Sequence, residues 1–232
     1  MTLRNRLIRA DRWLRVNLLG WRYFENVAIT DQGWLFLNSP VMSNDCQRVA
    51  GFSGEELERM AEKMTKVQET ALANGVSLHY LMAPNKCTIY PEISAEVFPI
   101  PGSTTRADQL IELIAGMEDP VSLIDLRAVL LDAKGSALLY HPDDTHLNEN
   151  GIFLVHLEMI KALLPYLPDE DYLQPEDFSI MDKAYQGDLS MLLGLDQFQR
   201  ITSDWTLIGD PPDTSTPETG VIVVENPDAV PI

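Results

Sequence analysis

The sequence predicts an α/β domain, a parallel sheet with helices on its faces. Three observations carry this. Apolar residues recur at helical spacing in several stretches, short apolar runs rich in β-branched and aromatic residues lie between them, and capping or turn residues separate the two kinds. The 232 residues suffice for one domain, or one domain with an appendage, and 45% hydrophobic with 22% charged residues is an ordinary globular composition.

The elements follow in order. Residues 3–19 read as a helix, with Leu3, Leu7, Trp13, Leu14 and Leu18 set among arginines. Val27–Ile29 and Trp34–Leu37 flank Thr30-Asp31-Gln32-Gly33, which has the chemistry of a hairpin turn. Ser53 with Glu56 three residues on is a capping box, and Leu57, Met60, Ala61, Met64, Val67, Ala71 and Leu72 continue at helical spacing until Gly75. Val76–Ala83 reads as a strand stopped by Pro84. A helix is expected over 106–115, a second central strand over 121–126 and a short helix over 127–133. A third strand is expected over 137–140, and a last strong helix over 152–164, ended by Pro165 and Pro168. Two loops then leave the carboxyl ends of strands, where α/β sheets gather their sites: residues 84–91 and 141–151. The domain is expected over 1–200. Residues 201–232 read as an acidic, proline-rich tail in which Val221–Val224 could form a strand.

The net charge of -18 repels phosphate backbones, so no nucleic-acid partner is expected. The charge is uneven. Arg4, Arg6, Arg9, Arg12, Arg15 and Arg22 face only Asp11 and Glu25 in the first 26 residues. A solvated helix face is the favoured reading of that segment, and a helix for a membrane surface or partner is the alternative. Cys46 and Cys87 match no metal spacing and read as ordinary side chains, with a disulfide as the minority option. The sequence contains no run of about 18 apolar residues and no signal-peptide pattern, which alone reads as cytoplasmic.

The densest polar cluster is His141-Pro142-Asp143-Asp144-Thr145-His146-Leu147-Asn148. A carboxylate two residues from a histidine can accept one imidazole N–H, fix the tautomer and stabilise the imidazolium, leaving the other nitrogen to take a proton from a hydroxyl nucleophile. The same residues also suit a capped loop before the following helix. A metal site built from His141, Asp143, Asp144 and His146 is a weaker third option. In the other loop, Asn85, Lys86 and Tyr90 could donate hydrogen bonds to an oxyanion or acyl carbonyl, but the residues by themselves favour a proline-bounded loop with polar groups at the surface. His79 and His156 read as structural, and Trp34 as a core residue.

Five ordered stretches carry a resemblance: Gly33–Leu37 (GWLFL), Ala83–Glu92 (APNKCTIYPE), Leu123–Arg127 (LIDLR), Leu139–Gly151 (LYHPDDTHLNENG) and Gly187–Leu195 (GDLSMLLGL). Together they resemble the alginate-acetylation (AlgX/AlgJ-like) family of SGNH-type polysaccharide O-acetyltransferases. The resemblance covers most of residues 20–195. It implies an SGNH-hydrolase-like, flavodoxin-like parallel sheet, incomplete at its C-terminal end. Asp144 would be the triad acid and His146 the general base, with Asn85, Lys86, Tyr90 and Asn148 as substrate-binding residues. No cofactor or metal is implied. The implied partners are a polysaccharide acceptor and a membrane O-acyltransferase that supplies acetyl groups, and the implied compartment is the periplasm. The family's serine lies in a later Gly-Asp-Ser-Phe-like motif absent from these 232 residues, so the chain is expected to stop short of its nucleophile and to be inactive. Ser190 lies in a separate family segment and is not expected to replace it. Leu147 stands where the family usually has tryptophan. A non-catalytic carbohydrate-binding or interaction protein is the second reading, and a metal-dependent hydrolase the third.

Overall fold

The structure is a computed structural model that describes residues 2–166, 175–195 and 200–208. Helix α1 (Leu3–Asn17) starts at Thr2, whose hydroxyl accepts from Asn5 N. Strands β1 (Val27–Ile29) and β2 (Leu35–Leu37) pair antiparallel, as the turn chemistry predicts, with Gly33 at φ 76° in the left-handed region. Both faces of this hairpin are covered. Because successive side chains on a strand point opposite ways, Ala28, Trp34 and Phe36 enter the main core, while Val27, Ile29 and Leu35 enter a second one.

Helix α2 (Pro40–Cys46), absent from the sequence reading, is started by Ser39 as N-cap with proline in the first turn. Helix α3 (Gly54–Ala73) has the expected capping box, with Ser53 and Glu56 bonding reciprocally. Strand β3 (Tyr80–Met82) pairs in parallel with β4 (Leu123–Asp125), both shorter than expected. The stretch after β3 is not an open loop. It folds into two helical turns, α4 (Lys86–Ile89) and α5 (Pro91–Ser94), the second begun by Pro91. Helices α6 (Arg106–Ala115) and α7 (Arg127–Ala133) have the predicted bounds. The strand expected over 137–140 does not form; Tyr140 makes an isolated bridge to Leu147, within its own loop. Helix α8 (Glu149–Leu163) follows directly.

Strand β5 (Phe178–Tyr185), helix α9 (Asp188–Leu193) and strand β6 (Arg200–Leu207) complete the description. β5 and β6 form an antiparallel ribbon, and β6 runs through the boundary expected at residue 200. The strand considered at Val221–Val224 lies outside the described residues.

The main core gathers Trp34, Phe36, Tyr90, Phe98, Leu126, Leu130 and Tyr140 around the hairpin. The second core joins the hairpin to α9 through Leu189, Leu193 and Leu195, with Val16 of α1 against it. Cys46 and Cys87 are joined in a disulfide between α2 and α4, their Cα atoms 5.7 Å apart. This corrects the reading of them as ordinary side chains. Their separation of 41 residues gave no pattern to read, and only the packing of α2 on α4 reveals the pair. Among the described residues no helix is long and apolar enough to cross a membrane.

Candidate active site

The loop carrying Asp144 and His146 is clamped from three sides. Leu35 N of β2 donates to Pro142 O at 2.8 Å. From below, the Lys86 side chain enters the interior and Nζ reaches Leu35 O (2.6 Å), Asp144 O (2.5 Å), Pro142 O (3.2 Å) and His141 O (3.3 Å). The rings of Phe36 and Trp34 flank the same Nζ. On the third side lies the start of α9. Gly187 N donates to Asp143 Oδ2 at 2.8 Å, and Ser190 N donates to Asp143 O at 3.3 Å. A Cβ on Gly187 would stand 2.1 Å from Asp143 O, so only glycine permits this approach.

Asp144 is buried and fully used. Oδ1 accepts from His146 N and lies 2.8 Å from His146 Nδ1; Oδ2 accepts from Tyr185 Oη at 2.6 Å and Asp188 N at 2.8 Å. Burial pushes its pKa up and is the largest single influence. The Tyr185 hydroxyl, the two backbone N–H groups and the His146 ring together outweigh it, and the carboxyl is held well below the usual range. Burial, then the bond to Asp144, raises the Tyr185 phenol. The His146 side chain, by contrast, is 78% exposed. With Nδ1–H donating to Asp144, Nε2 carries the lone pair of the neutral ring at the surface. That is the arrangement a general base needs. Thr145 Oγ1 sits 3.2 Å from Nδ1 and donates to Asp188 Oδ2, so it faces the wrong nitrogen for a nucleophile.

The other predicted residues have different surroundings. Lys86, Tyr90 and Asn148, expected to bind substrate, are held inside the molecule. Lys86 supports the histidine loop. Tyr90 Oη accepts from Leu139 N at 3.0 Å, and its burial raises the phenol pKa. Asn148 caps α8, accepting from Gly151 N and donating to Leu138 O. Tyr90 and Asn148 line neither of the two hollows around Asn85, whereas Lys86 borders the smaller one. All three hold buried backbone groups: Lys86 the carbonyls of the histidine loop, Tyr90 the Leu139 N–H and Asn148 the Gly151 N–H. Asn85 does face a cleft. Its amide donates to Asp45 at 2.7 Å on the wall of a hollow of about 400 Å³ at the carboxyl ends of β3 and β4, with Met42, Phe52, Arg106 and Arg127 around it. A smaller pocket joins Asn85 and Met42 to Thr145, so the two expected loops do meet. Ser190 is fully buried with Oγ donating to Gly187 O at 2.8 Å. Leu147 packs partly buried against the main core. His79 Nδ1 lies 2.7 Å from Ser122 Oγ, and Trp34 is buried.

The sequence reading missed Tyr185 and Asp188, which complete the site. Asp188 stood in the Gly187–Leu195 stretch but had no role there; Tyr185 ends a strand that was not expected. Asp144, His146 and Asp188 also offer donor atoms within 4.8 Å of one another. Their carboxylates already accept protein N–H and O–H groups, with which a cation would have to compete.

Residues 27–217 match the family described as SGNH hydrolase-like domain, acetyltransferase AlgX. The chain belongs to this AlgX acetyltransferase family. Solved structures similar to it are the O-acetyltransferase domain of Pseudomonas putida AlgJ and Bacillus cereus PatB1. AlgJ is 18% identical, with a TM-score of 0.50, over 78% of this chain and 63% of that one. PatB1 is 13% identical, with a TM-score of 0.50, over 79% of this chain and 54% of that one. The chain thus spans less than two thirds of either. Both likenesses show the SGNH-hydrolase-like fold. No curated protein sequence matches the chain. Within the AlgX family frame, the Asp144–His146 pair sits on a loop between the main core and α9, and the short parallel pair β3–β4 is the described part of the sheet.

Proposed function

We propose that this domain serves O-acetylation of an alginate-like exopolysaccharide in the periplasm, with His146 as general base and acid and Asp144 as its orienting carboxylate. The observation that carries the reading is a buried, fully hydrogen-bonded carboxylate 2.8 Å from the ring nitrogen of an exposed histidine. In the reaction, His146 Nε2 takes the proton of a serine hydroxyl as its oxygen bonds to the acetyl carbon, and returns it to the donor's leaving oxygen. It then takes the proton of a sugar hydroxyl, whose oxygen attacks the acyl-serine, and the serine oxygen leaves with that proton. No metal or cofactor enters these steps. The donor is proposed to be a membrane O-acyltransferase partner. The Cys46–Cys87 disulfide supports an oxidising compartment. Asn85, on the wall of the cleft that reaches Thr145, is the residue best placed to contact the acceptor.

We also propose that the 232-residue chain by itself transfers no acetyl group. Among the described residues no serine hydroxyl bonds to His146, and Ser190 is sealed in the interior. The test is p-nitrophenol release from p-nitrophenyl acetate by the wild type and by His146→Ala and Ser190→Ala. Equal, near-background rates are expected. A burst with a trapped acyl group that Ser190→Ala abolishes would overturn this reading. For the acceptor, oligouronates should shift the His146 ring signals in NMR titrations while neutral glucans leave them in place. Equal shifts with both would argue against a uronate.

A further inference from the structure

Helix α1 presents its apolar stripe to water. At 100° per residue, Leu3, Leu7, Leu14 and Leu18 fall within about 60° of one another around the axis. All four are exposed, at 74, 62, 45 and 68%. The opposite side faces the protein. Val16 packs against the second core, and Arg12 Nη1 donates to Leu192 O at 2.9 Å and Leu193 O at 2.8 Å. These last carbonyls of α9 form the negative end of its dipole, which suits a guanidinium. The anchor fixes the rotation of α1, so the leucines cannot roll inward without breaking it.

Two further features say what covers the stripe. Exposed Trp13 and Trp21 lie on or just after the helix, and amphipathic rings of this kind favour a membrane–water interface. Arg4 and Arg6 flank the leucines, and residues 1–22 carry six arginines against the one acid Asp11 in a chain of net charge -18. We infer that α1 docks on an anionic lipid bilayer, with the leucine stripe at the acyl boundary and Arg4 and Arg6 at its edges on lipid phosphates, while Arg12, Arg15 and Arg22 keep their partners within the protein. A second copy of the helix would bring arginine rims together, whereas phosphates neutralise them. The acidic remainder is repelled only weakly, because screening sets in beyond about 8 Å at physiological salt. The docking is independent of the acyl-transfer reading.

The test is co-sedimentation of the full chain with lipid vesicles, in phosphatidylcholine alone and with about one third phosphatidylglycerol. Binding to the anionic vesicles at low salt is expected, weakening as salt rises, with a blue shift of tryptophan emission. Arg4→Gln/Arg6→Gln should lower the anionic partition by about tenfold or more. Leu7→Asp/Leu14→Asp should abolish it while thermal unfolding stays unchanged, because both positions are exposed. If the leucine variant fails to fold, the arginine variant still decides. No binding to anionic vesicles at low salt, equal binding to both compositions, or partition indifferent to the arginine variant would overturn the inference. So would a dimer that the leucine variant breaks in the absence of any vesicle binding.

Discussion

Asp144 is held by four donors, and each substitution near it tests a different part of that hold. Asp144→Asn keeps the shape but turns an amide N–H toward Tyr185 Oη and the Asp188 N–H, or toward His146. One buried donor then loses its acceptor, at a cost of about 1–3 kcal/mol. Urea unfolding should show that loss, and the His146 ring should lose its fixed tautomer in NMR. Lys86→Met keeps the apolar stem but strips the Nζ donors from four buried carbonyls. The expected destabilisation is about 3 kcal/mol or more, with a loosened histidine loop. A change within about 0.5 kcal/mol would mean that Lys86 is not the support described. Gly187→Ala must displace the Asp143 backbone, and should cost about as much.

At the scale of elements, the disulfide and the unread segments share a cause: both arise from packing between stretches distant in sequence. The bond between α2 and α4 closes a loop of 41 residues, which by chain entropy stabilises the fold by about 4 kcal/mol. Cys46→Ala/Cys87→Ala is therefore expected to lose most of that in denaturant titrations, with α6 and α8 intact by circular dichroism in water. Helices with caps written in the sequence were legible. Ser53 and Glu56 mark α3, and the apolar spacing marks α6 and α7 to the residue. Strands of three residues were legible only roughly, because pairing rather than propensity bounds them. The ribbon β5–β6 was not legible. Ile180 and Met181 are neighbours on opposite faces and both are exposed, so no alternation marks the strand. Asp144 and His146 were readable from their spacing, but the buried roles of Lys86, Tyr90 and Asn148 were not. A polar residue in a loop looks the same in sequence whether its partner is a ligand or a backbone carbonyl.

Across the whole molecule, two charge effects oppose each other as pH falls, and their balance is measurable. The net charge of -18 makes the folded chain repel itself at neutral pH. Added salt at pH 7 should therefore raise the melting temperature, and mild acidification should do the same as exposed carboxylates protonate. Asp144 acts in the other direction. Its folded pKa is depressed, so its stabilisation is complete above the unfolded value of roughly 4 and is lost as pH falls through the folded value. Asp108 is depressed as well, its burial outweighed by bonds from Thr105 and Arg127. The melting temperature should then rise or stay level from pH 7 to about 5, and drop steeply below about 4. In Asp144→Asn the curve should start lower and fall less steeply in acid, because one of the depressed carboxylates is gone while Asp108 remains. Each kcal/mol recovered corresponds to roughly 2–4 °C in a chain of this size. Calorimetry of both proteins between pH 3 and 8 decides the point. Parallel curves would mean that Asp144 is no more readily ionised in the folded chain than in the unfolded one, and the hydrogen-bonded carboxylate behind His146 would lose its electrostatic basis.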